Sequence, residues 1–488
     1  MRIGELLIRA ELATPQDIEA ALQRQNTEGG RLGENLIAMG IVDRKRLERL
    51  LRISPAKPAS IAELQIKEND LLDLLMKLIF VNGLDTTSQF VEGLKLPHPL
   101  VAQLGELAAS RQLLNVSSAR GSGMLAEKRY DITEAGRQWA AGAMSRSQYI
   151  GPAPVSLDAF KKRIVSQRIS GERVTLPEIK AALSGLFLEE TLMQKMGPAI
   201  NSGKPILLYG PPGNGKTSIA LKLGRTLTDL IYVPYSVMIE GQIMRVYDPK
   251  LHSALLDEEG NRDTSVRAIR DEEFDGRWVP CRQPFAVAGG ELTLEMLELG
   301  YDPISKCYEA PLHVKALGGS ILIDDFGRQL VSPADLLNRW IVPLENGVDY
   351  LKLQTGKSFD LPFEARLMFS TNLEPEDLMD PAFLRRLPFK LEIGPPSRKR
   401  FRRIFDHVAK SRDIPLSEEM FEFIIQELTE KRDIELAAYQ PGFITDQVVA
   451  TCEFEGVKPH FEQRLIEAAI SNIRVKRYHP PKSSAQQA

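Results

Sequence analysis

Cysteine is scarce: Cys281, Cys307 and Cys452 are the only three in 488 residues, and none sits in a C-x-x-C pair. That excludes a disulfide framework and a zinc knuckle. Histidine is also rare, six in all, and nowhere recurs at metal-ligand spacing. No apolar run reaches the ~18 residues needed to cross a bilayer, and Glu5 follows Met1 too closely for a secretory leader. The expectation is a cytoplasmic chain. An excess of one charge is missing too: 62 Lys and Arg stand against 65 Asp and Glu, a net charge of −3. Such a balance excludes a protein that coats nucleic acid or an acidic membrane through bulk charge. What is present, 43% hydrophobic and 26% charged residues, is the composition of globular domains, and the length is enough for roughly three or four of them.

The sharpest local pattern lies near the middle. An apolar run from Pro205 to Tyr209 enters Gly210-Pro211-Pro212-Gly213-Asn214-Gly215-Lys216-Thr217, and Ser218 to Leu223 reads as a helix. This is G-x-x-x-x-G-K-[ST] in a strand-loop-helix setting. Glycines let successive backbone N–H groups converge on phosphates, and the helix N-terminus adds its positive dipole. Lys216 then reaches the β- and γ-phosphates, and Thr217 can hold Mg²⁺. ATP with Mg²⁺ is the expected ligand, with Gly210 to Ser218 as its cradle.

Residues 2–25 and 31–54 repeat one another, Arg2-Ile3-Gly4-Glu5-Leu6-Leu7-Ile8 against Arg31-Leu32-Gly33-Glu34-Asn35-Leu36-Ile37. Each copy reads as a short helix, a turn and a second amphipathic helix, so the pair predicts an all-α module over 1–56 that buries its apolar stripes internally. The pattern R-[IL]-G-E-x-L-[IL] resembles the N-terminal domain of type II secretion and type IV pilus assembly ATPases, some of which bind cyclic di-GMP. That resemblance implies Arg2, Gly4, Arg31 and Gly33 as contacts to a cyclic dinucleotide, since guanidinium groups stack on purines or fork onto phosphate. Glu11 and Ser54 depart from its pattern, where glycine and glutamine would stand. From physics alone, the repeat is a packing and docking module.

After a proline-containing joint, residues 60–147 pattern as three helices, an apolar and glycine-rich stretch, and Tyr130-Asp131-Ile132-Thr133-Glu134-Ala135-Gly136. The order resembles a winged-helix domain. Its third helix, Pro99 to Arg111, carries one arginine and one glutamate, so the phosphate contacts that dominate DNA affinity are lacking there. Protein docking is the expected role. DNA binding would fall to Arg120, Lys128 and Arg129 on the wing.

Beyond the stiff linker around Pro152 and Pro154, the remaining chain predicts a parallel α/β domain over 155–393, with Leu230 to Tyr235 read as its second strand. Ser320-Ile321-Leu322-Ile323 is a buried-strand pattern ending in Asp324-Asp325, at the sheet edge where ligands bind. Asp324 would hold Mg²⁺ and Asp325 would orient and deprotonate the attacking water. Glu364 to Asn372 reads as a further strand, with Asn372 at the same edge. Asp380 to Leu387 carries Arg385 and Arg386, and Pro388 to Ile393 is the fifth strand. Together these residues resemble the AAA+ ATPases from about residue 175 to 477. The resemblance implies Asn372 as sensor 1, Arg385 and Arg386 as an arginine-finger box serving a neighbouring subunit, and a homo-oligomeric ring, usually hexameric.

Three features depart from the simplest AAA+ pattern. Asp325 replaces the usual glutamate, Met238-Ile239-Glu240-Gly241 has no aromatic where a pore loop would lie, and a charged insertion separates the phosphate loop from the aspartate pair. Asn346 to Pro362 reads as a hairpin before sensor 1, similar to the MoxR-like branch. Residues 394–478 predict a helical lid that opens on Ser397-Arg398-Lys399-Arg400, read as a solvated face or a hinge, and has no arginine at the start of its helix near Gln440. Residues 479–488 are a polar tail. The function expected is an ATP hydrolase that remodels or assembles a protein partner. The alternative is an ATP-switched DNA-binding transcriptional regulator with weak or no hydrolysis.

Overall fold

The computed structural model describes residues 7–8, 12–29, 32–43, 54–120, 127–168, 174–224, 230–254, 274–378 and 381–473. Helix α1 (Pro15–Glu28) starts at Thr14, whose hydroxyl accepts from the Asp17 N–H while the Asp17 carboxylate accepts from the Thr14 N–H. With Pro15 in the first turn, this capping box fixes the helix start. Helix α2 (Leu32–Ala38) packs against it through Leu36. Gly33 is buried in the first turn of α2. Arg2, Gly4 and Arg31 lie outside the described residues, as do the acidic runs of the insertion and the tail from 474.

The next unit runs α3 (Glu68–Asn82), α4 (Thr87–Leu94), α5 (His98–Ser110), β1 (Leu114–Arg120), β2 (Glu127–Ile132) and α6 (Glu134–Arg146). Its two strands are antiparallel, and Leu71, Leu75, Phe90, Leu104 and Tyr130 fill its core. The Trp139 indole N–H donates to Asp73 at 2.8 Å and locks α6 onto α3.

The chain then forms β3 (Val155–Ser156), α7 (Leu157–Ser166), α8 (Leu176–Ala182), α9 (Glu190–Asn201), β4 (Ile206–Tyr209), α10 (Lys216–Gly224), β5 (Leu230–Pro234), β6 (Ser236–Ile239) and β7 (Gln242–Arg245). There follow β8 (Trp278–Arg282), β9 (Phe285–Ala288), β10 (Gly300–Asp302), β11 (Cys307–Glu309), α11 (Leu312–Lys315), β12 (Ser320–Ile323), α12 (Pro333–Asn346), β13 (Val348–Lys352), β14 (Ser358–Pro362) and β15 (Arg366–Ser370). Helices α13 (Pro375–Leu378) and α14 (Pro381–Leu384) lead to β16 (Phe389–Glu392).

The central sheet has the order β16-β4-β15-β12-β9 and every pairing in it is parallel. Alternation along its strands feeds two apolar layers. Leu207, Ile321, Ile323 and Phe369 enter one, and Ile206, Leu208, Leu322 and Met368 the other. Parallel order with helices on both faces puts all strand C-termini, and with them the phosphate loop and Asp324-Asp325, at one edge. This is a parallel α/β sheet layered between helices, with a glycine-rich loop after its first strand in chain order and a helical lid following its last.

One expectation is corrected here. Leu230–Pro234 is a strand, but it pairs antiparallel with β8 outside the central sheet, and the sheet's second strand in chain order is β9. A fully apolar pentapeptide reads the same in either place, and only its pairing partner decides. Met238 to Gly241, which lacks the aromatic of a pore loop, closes the antiparallel β6–β7 hairpin, and Glu240 pairs with Lys357 at the tip of the β13–β14 hairpin.

The insertion between phosphate loop and aspartate pair builds most of a second sheet, ordered β10-β11-β7-β6-β3. That sheet seats the preceding unit. Ile243 and Cys307 join the apolar cluster of α3 to α5, and Gln148 N–H donates to Ser305 O at 2.9 Å. Within the unit, buried Lys77 donates to Ser147 O, just past α6, at 2.9 Å. Burial pushes the Lys77 ammonium down to about 8. Nearby, the Arg277 guanidinium binds Asp275 and the carbonyl of Pro154, with both side chains buried.

The lid comprises α15 (Arg398–Ser411), α16 (Glu418–Ile425), α17 (Gln440–Glu455) and α18 (Gln463–Ser471) around Phe401, Phe405 and Phe421. Burying each such ring contributes ~1.5–3 kcal/mol, which holds the lid together as a body of its own. Among the described residues, no helix is long and apolar enough to cross a membrane.

Candidate nucleotide site

Strand β4 ends at Tyr209, and the chain turns sharply at Gly210, whose φ is +130°. A Cβ there would lie 2.7 Å from the backbone oxygen of Ile393, so only glycine lets the loop leave the sheet between its neighbours. The Lys216 ammonium, at the start of α10, donates to the carbonyl oxygens of Gly210 and Pro211, both at 2.8 Å. The lysine is buried, and desolvation pulls its pKa below the usual value against the opposing pull of Asp325 and Asp324. A desolvated ammonium at the N-terminus of a helix is suited to multiply charged phosphate oxygens.

Thr217 and Asp324 come from elements far apart in sequence, yet the Thr217 hydroxyl donates to Asp324 Oδ1 at 2.9 Å. These are two hard oxygen donors at the phosphate end, the type that binds Mg²⁺ with water and phosphate completing the shell. Asp324 is placed by its own N–H, which donates to Ala288 O on β9.

Asp325 has φ +48°, in the left-handed region. Aspartate is among the few side chains that visit that region routinely, which gives a local reason for Asp where a longer carboxylate was expected. Asn372, just past the end of β15, donates from Nδ2 to Asp325 Oδ1 at 3.2 Å. Gln329 braces the turn, donating to the carbonyl oxygens of Asp324 and Asp325 while accepting from the Gly327 N–H.

The structure thus brings together Gly213 to Ser218, Asp324, Asp325 and Asn372 around one cleft of about 550 Å³. Arg385 and Arg386 do not line it. Arg385 is exposed, whereas Arg386 donates from Nε to Glu345 on α12 at 2.6 Å. Of the two arginines, Arg386 is tied into its own chain.

Sequence reasoning missed the rest of the cleft. Leu186, Phe187 and Leu188 form one wall, and Arg400, Ile404 and Tyr439 come from the lid. The lid is fastened to the phosphate loop by main-chain groups: Tyr439 N–H donates to Gly213 O at 3.0 Å and Ala438 N–H to Asn214 Oδ1 at 3.1 Å. The signal for Arg400 and Ile404 was available in the spacing, because Phe401 and Phe405 mark the buried face of α15 and leave positions 400 and 404 on the flank. Nothing in the sequence said what that flank faces.

Comparison with known proteins adds a family model described as "Domain of unknown function (DUF8689)", which matches residues 397–472, the lid. No curated protein matches the chain in sequence. Among solved structures, the chain is similar to NtrX from Brucella abortus in complex with ATP, at 13% identity and a TM-score of 0.37, over 63% of this chain and 60% of NtrX. A second NtrX structure gives 13% and 0.35 over 67% and 61%. A RuvB variant from Thermotoga maritima gives 14% and 0.31 over 62% and 72%. The chain therefore spans about three fifths of the length of NtrX.

Proposed function

We propose that this protein is an AAA+ ATPase that binds ATP with Mg²⁺ and hydrolyses it to remodel or assemble a protein partner, working as a homo-oligomeric ring of hexamer type. One observation carries the reading: Lys216, the Thr217–Asp324 pair and the Asn372–Asp325 pair converge in one cleft beneath a lid whose backbone is bonded to the phosphate loop. In this reading Gly210 to Ser218 cradle the phosphates, and Lys216 bears on the transferred group. Thr217 and Asp324 would hold Mg²⁺, which supplies charge neutralisation of the phosphate oxygens when bound. Asp325 accepts the proton of the attacking water and Asn372 holds that carboxylate in position. Because the lid touches the loop directly, a change in the loop's ligand is passed to α17 as a rigid-body movement. Arg385, exposed beside the Arg386–Glu345 pair, is the finger offered to a neighbouring subunit.

Phosphate release tests this. Wild type should release phosphate from MgATP, Lys216→Ala should lose ATP binding, and Asp325→Asn should keep binding while slowing release by ~10²-fold or more. Asparagine also tolerates the left-handed backbone, so the variant removes charge without adding strain. Equal rates in all three would end the hydrolysis reading.

The N-terminal repeat is proposed as a regulatory module, with Arg2, Gly4, Arg31 and Gly33 as candidate contacts to cyclic di-GMP on the strength of the resemblance. Binding to the full chain that weakens in Arg31→Ala would support it, and unchanged binding would return the module to docking. The winged-helix-like unit is read as a protein-docking element. Lys128 is paired with Glu106 at 2.8 Å and Arg129 lies 3.8 Å from Asp85, so two of the three wing cations named above are already engaged. Salt-dependent retention of the protein on duplex DNA would favour the regulator reading instead.

A further inference from the structure

The lid contributes a cation to the cleft that the catalytic roles above do not use. Arg400 lies in the first turn of α15, one helical turn before Ile404, and both side chains line the cleft. The adjoining flank of the same helix is pinned to the opposite wall. The Arg403 guanidinium sits 5.2 Å from the centre of the Phe187 ring, and His407 meets that ring edge-on at 5.3 Å. This clamp sets the rotation of α15, and with it the direction in which Arg400 points.

Arg400 is half-buried, and its Nε is fully shielded with no hydrogen-bond partner in the described residues. Desolvation lowers its pKa, and Glu189 opposes this. A guanidinium with one N–H donor shut away from water and unpaired is costly to keep unless a ligand supplies an acceptor. The neighbours indicate which part of a ligand that is. Glu189 directly follows Leu188, and the wall here is Leu186, Phe187, Leu188 and Ile404, an apolar slot suited to a flat ring. The phosphate chain already has its own cation in Lys216 at the far end.

We propose that Arg400 binds the purine base or the ribose of the nucleotide, as a recognition residue supplied by the first lid helix, and so couples occupancy of the base slot to lid position. The inference rests on the nucleotide reading above. Its test compares two ligands, ATP and inorganic tripolyphosphate, which has the charge but no base or ribose. In the full chain, Arg400→Ala and the stem-preserving Arg400→Met should weaken ATP about tenfold or more, the range for a lost hydrogen bond to a charged group. Tripolyphosphate should bind them as it binds wild type. Arg400→Lys should not restore ATP affinity, because an ammonium lacks the planar fork. Lys216→Ala should lose both ligands. Unchanged ATP affinity in the Arg400 variants, or an equal loss for tripolyphosphate, would overturn the assignment while leaving the nucleotide site standing. If wild type binds neither ligand, the nucleotide reading falls and the assignment with it.

Discussion

Replacing Gly213 by alanine should loosen the lid from the phosphate loop, and the structure lets the effect be divided into parts. Gly213 has φ +79°, so any L side chain there bears ~1–2 kcal/mol of left-handed strain. An alanine Cβ would also lie 2.3 Å from Cδ1 of Tyr439, a separation that no rotamer of alanine can relieve. The ring must move, and the 3.0 Å bond from Tyr439 N–H to Gly213 O moves with it. Losing that bond costs ~0.5–1.5 kcal/mol, equivalent to roughly a two- to tenfold rise in local opening. Hydrogen–deuterium exchange of a peptide spanning 437–441 reads this directly. Gly215→Ala is the control: φ is +86°, but nothing lies within 4 Å of the added carbon, so it carries strain without the clash. Exchange in the lid peptide should quicken in Gly213→Ala relative to Gly215→Ala, and Tyr439→Ala in the Gly213→Ala background should remove most of the difference. Identical exchange in the two glycine variants would refute the claim that the lid rests on the loop through Tyr439.

Under the proposed ring reading, Arg385→Ala should lower ATPase activity by ~10³-fold or more, and mixing it with Lys216→Ala subunits should recover part of the rate. Arg386→Ala, by contrast, should change stability by no more than ~1 kcal/mol, as expected for a partly exposed ion pair; a thermal scan and a phosphate assay separate the two. Buried Asp349 accepts from Arg339 at 2.6 Å and shares a 2.6 Å hydrogen bond with His313, so Asp349→Asn should cost ~3–5 kcal/mol of stability, seen in denaturant unfolding. Burial alone would raise the Asp349 pKa, but the bonds from His313 and Arg339 outweigh it and hold it below the ordinary 3.8. That stabilisation is full above the ordinary value and is lost as pH falls below it toward the depressed one, so the wild type should lose stability below about pH 4 more steeply than the Asn variant.

The sequence by itself determined what is local and covalent. A glycine-rich run between an apolar strand and a helix specifies a loop able to cradle phosphate, because loop backbone and helix start need no distant partner to present their N–H groups. The apolar run ending in Asp324-Asp325 placed a carboxylate pair at a strand's C-terminal end for the same reason. Tertiary structure decided everything that depends on which element lies beside which. Leu230–Pro234 and Phe285–Ala288 are both short apolar strands, and only hydrogen-bond pairing put the second in the central sheet and the first outside it. The two arginines at 385 and 386 look equivalent in sequence; Glu345, about forty positions earlier, makes them different. Asp325 looked like a shortened acid until its left-handed backbone supplied a reason for it. Arg400 looked like one charge in a basic run until the packing of α15 against Phe187 turned it toward the cleft. Sequence periodicity tells which face of a helix is buried, but what the adjoining flank meets is set by contacts between residues hundreds of positions apart.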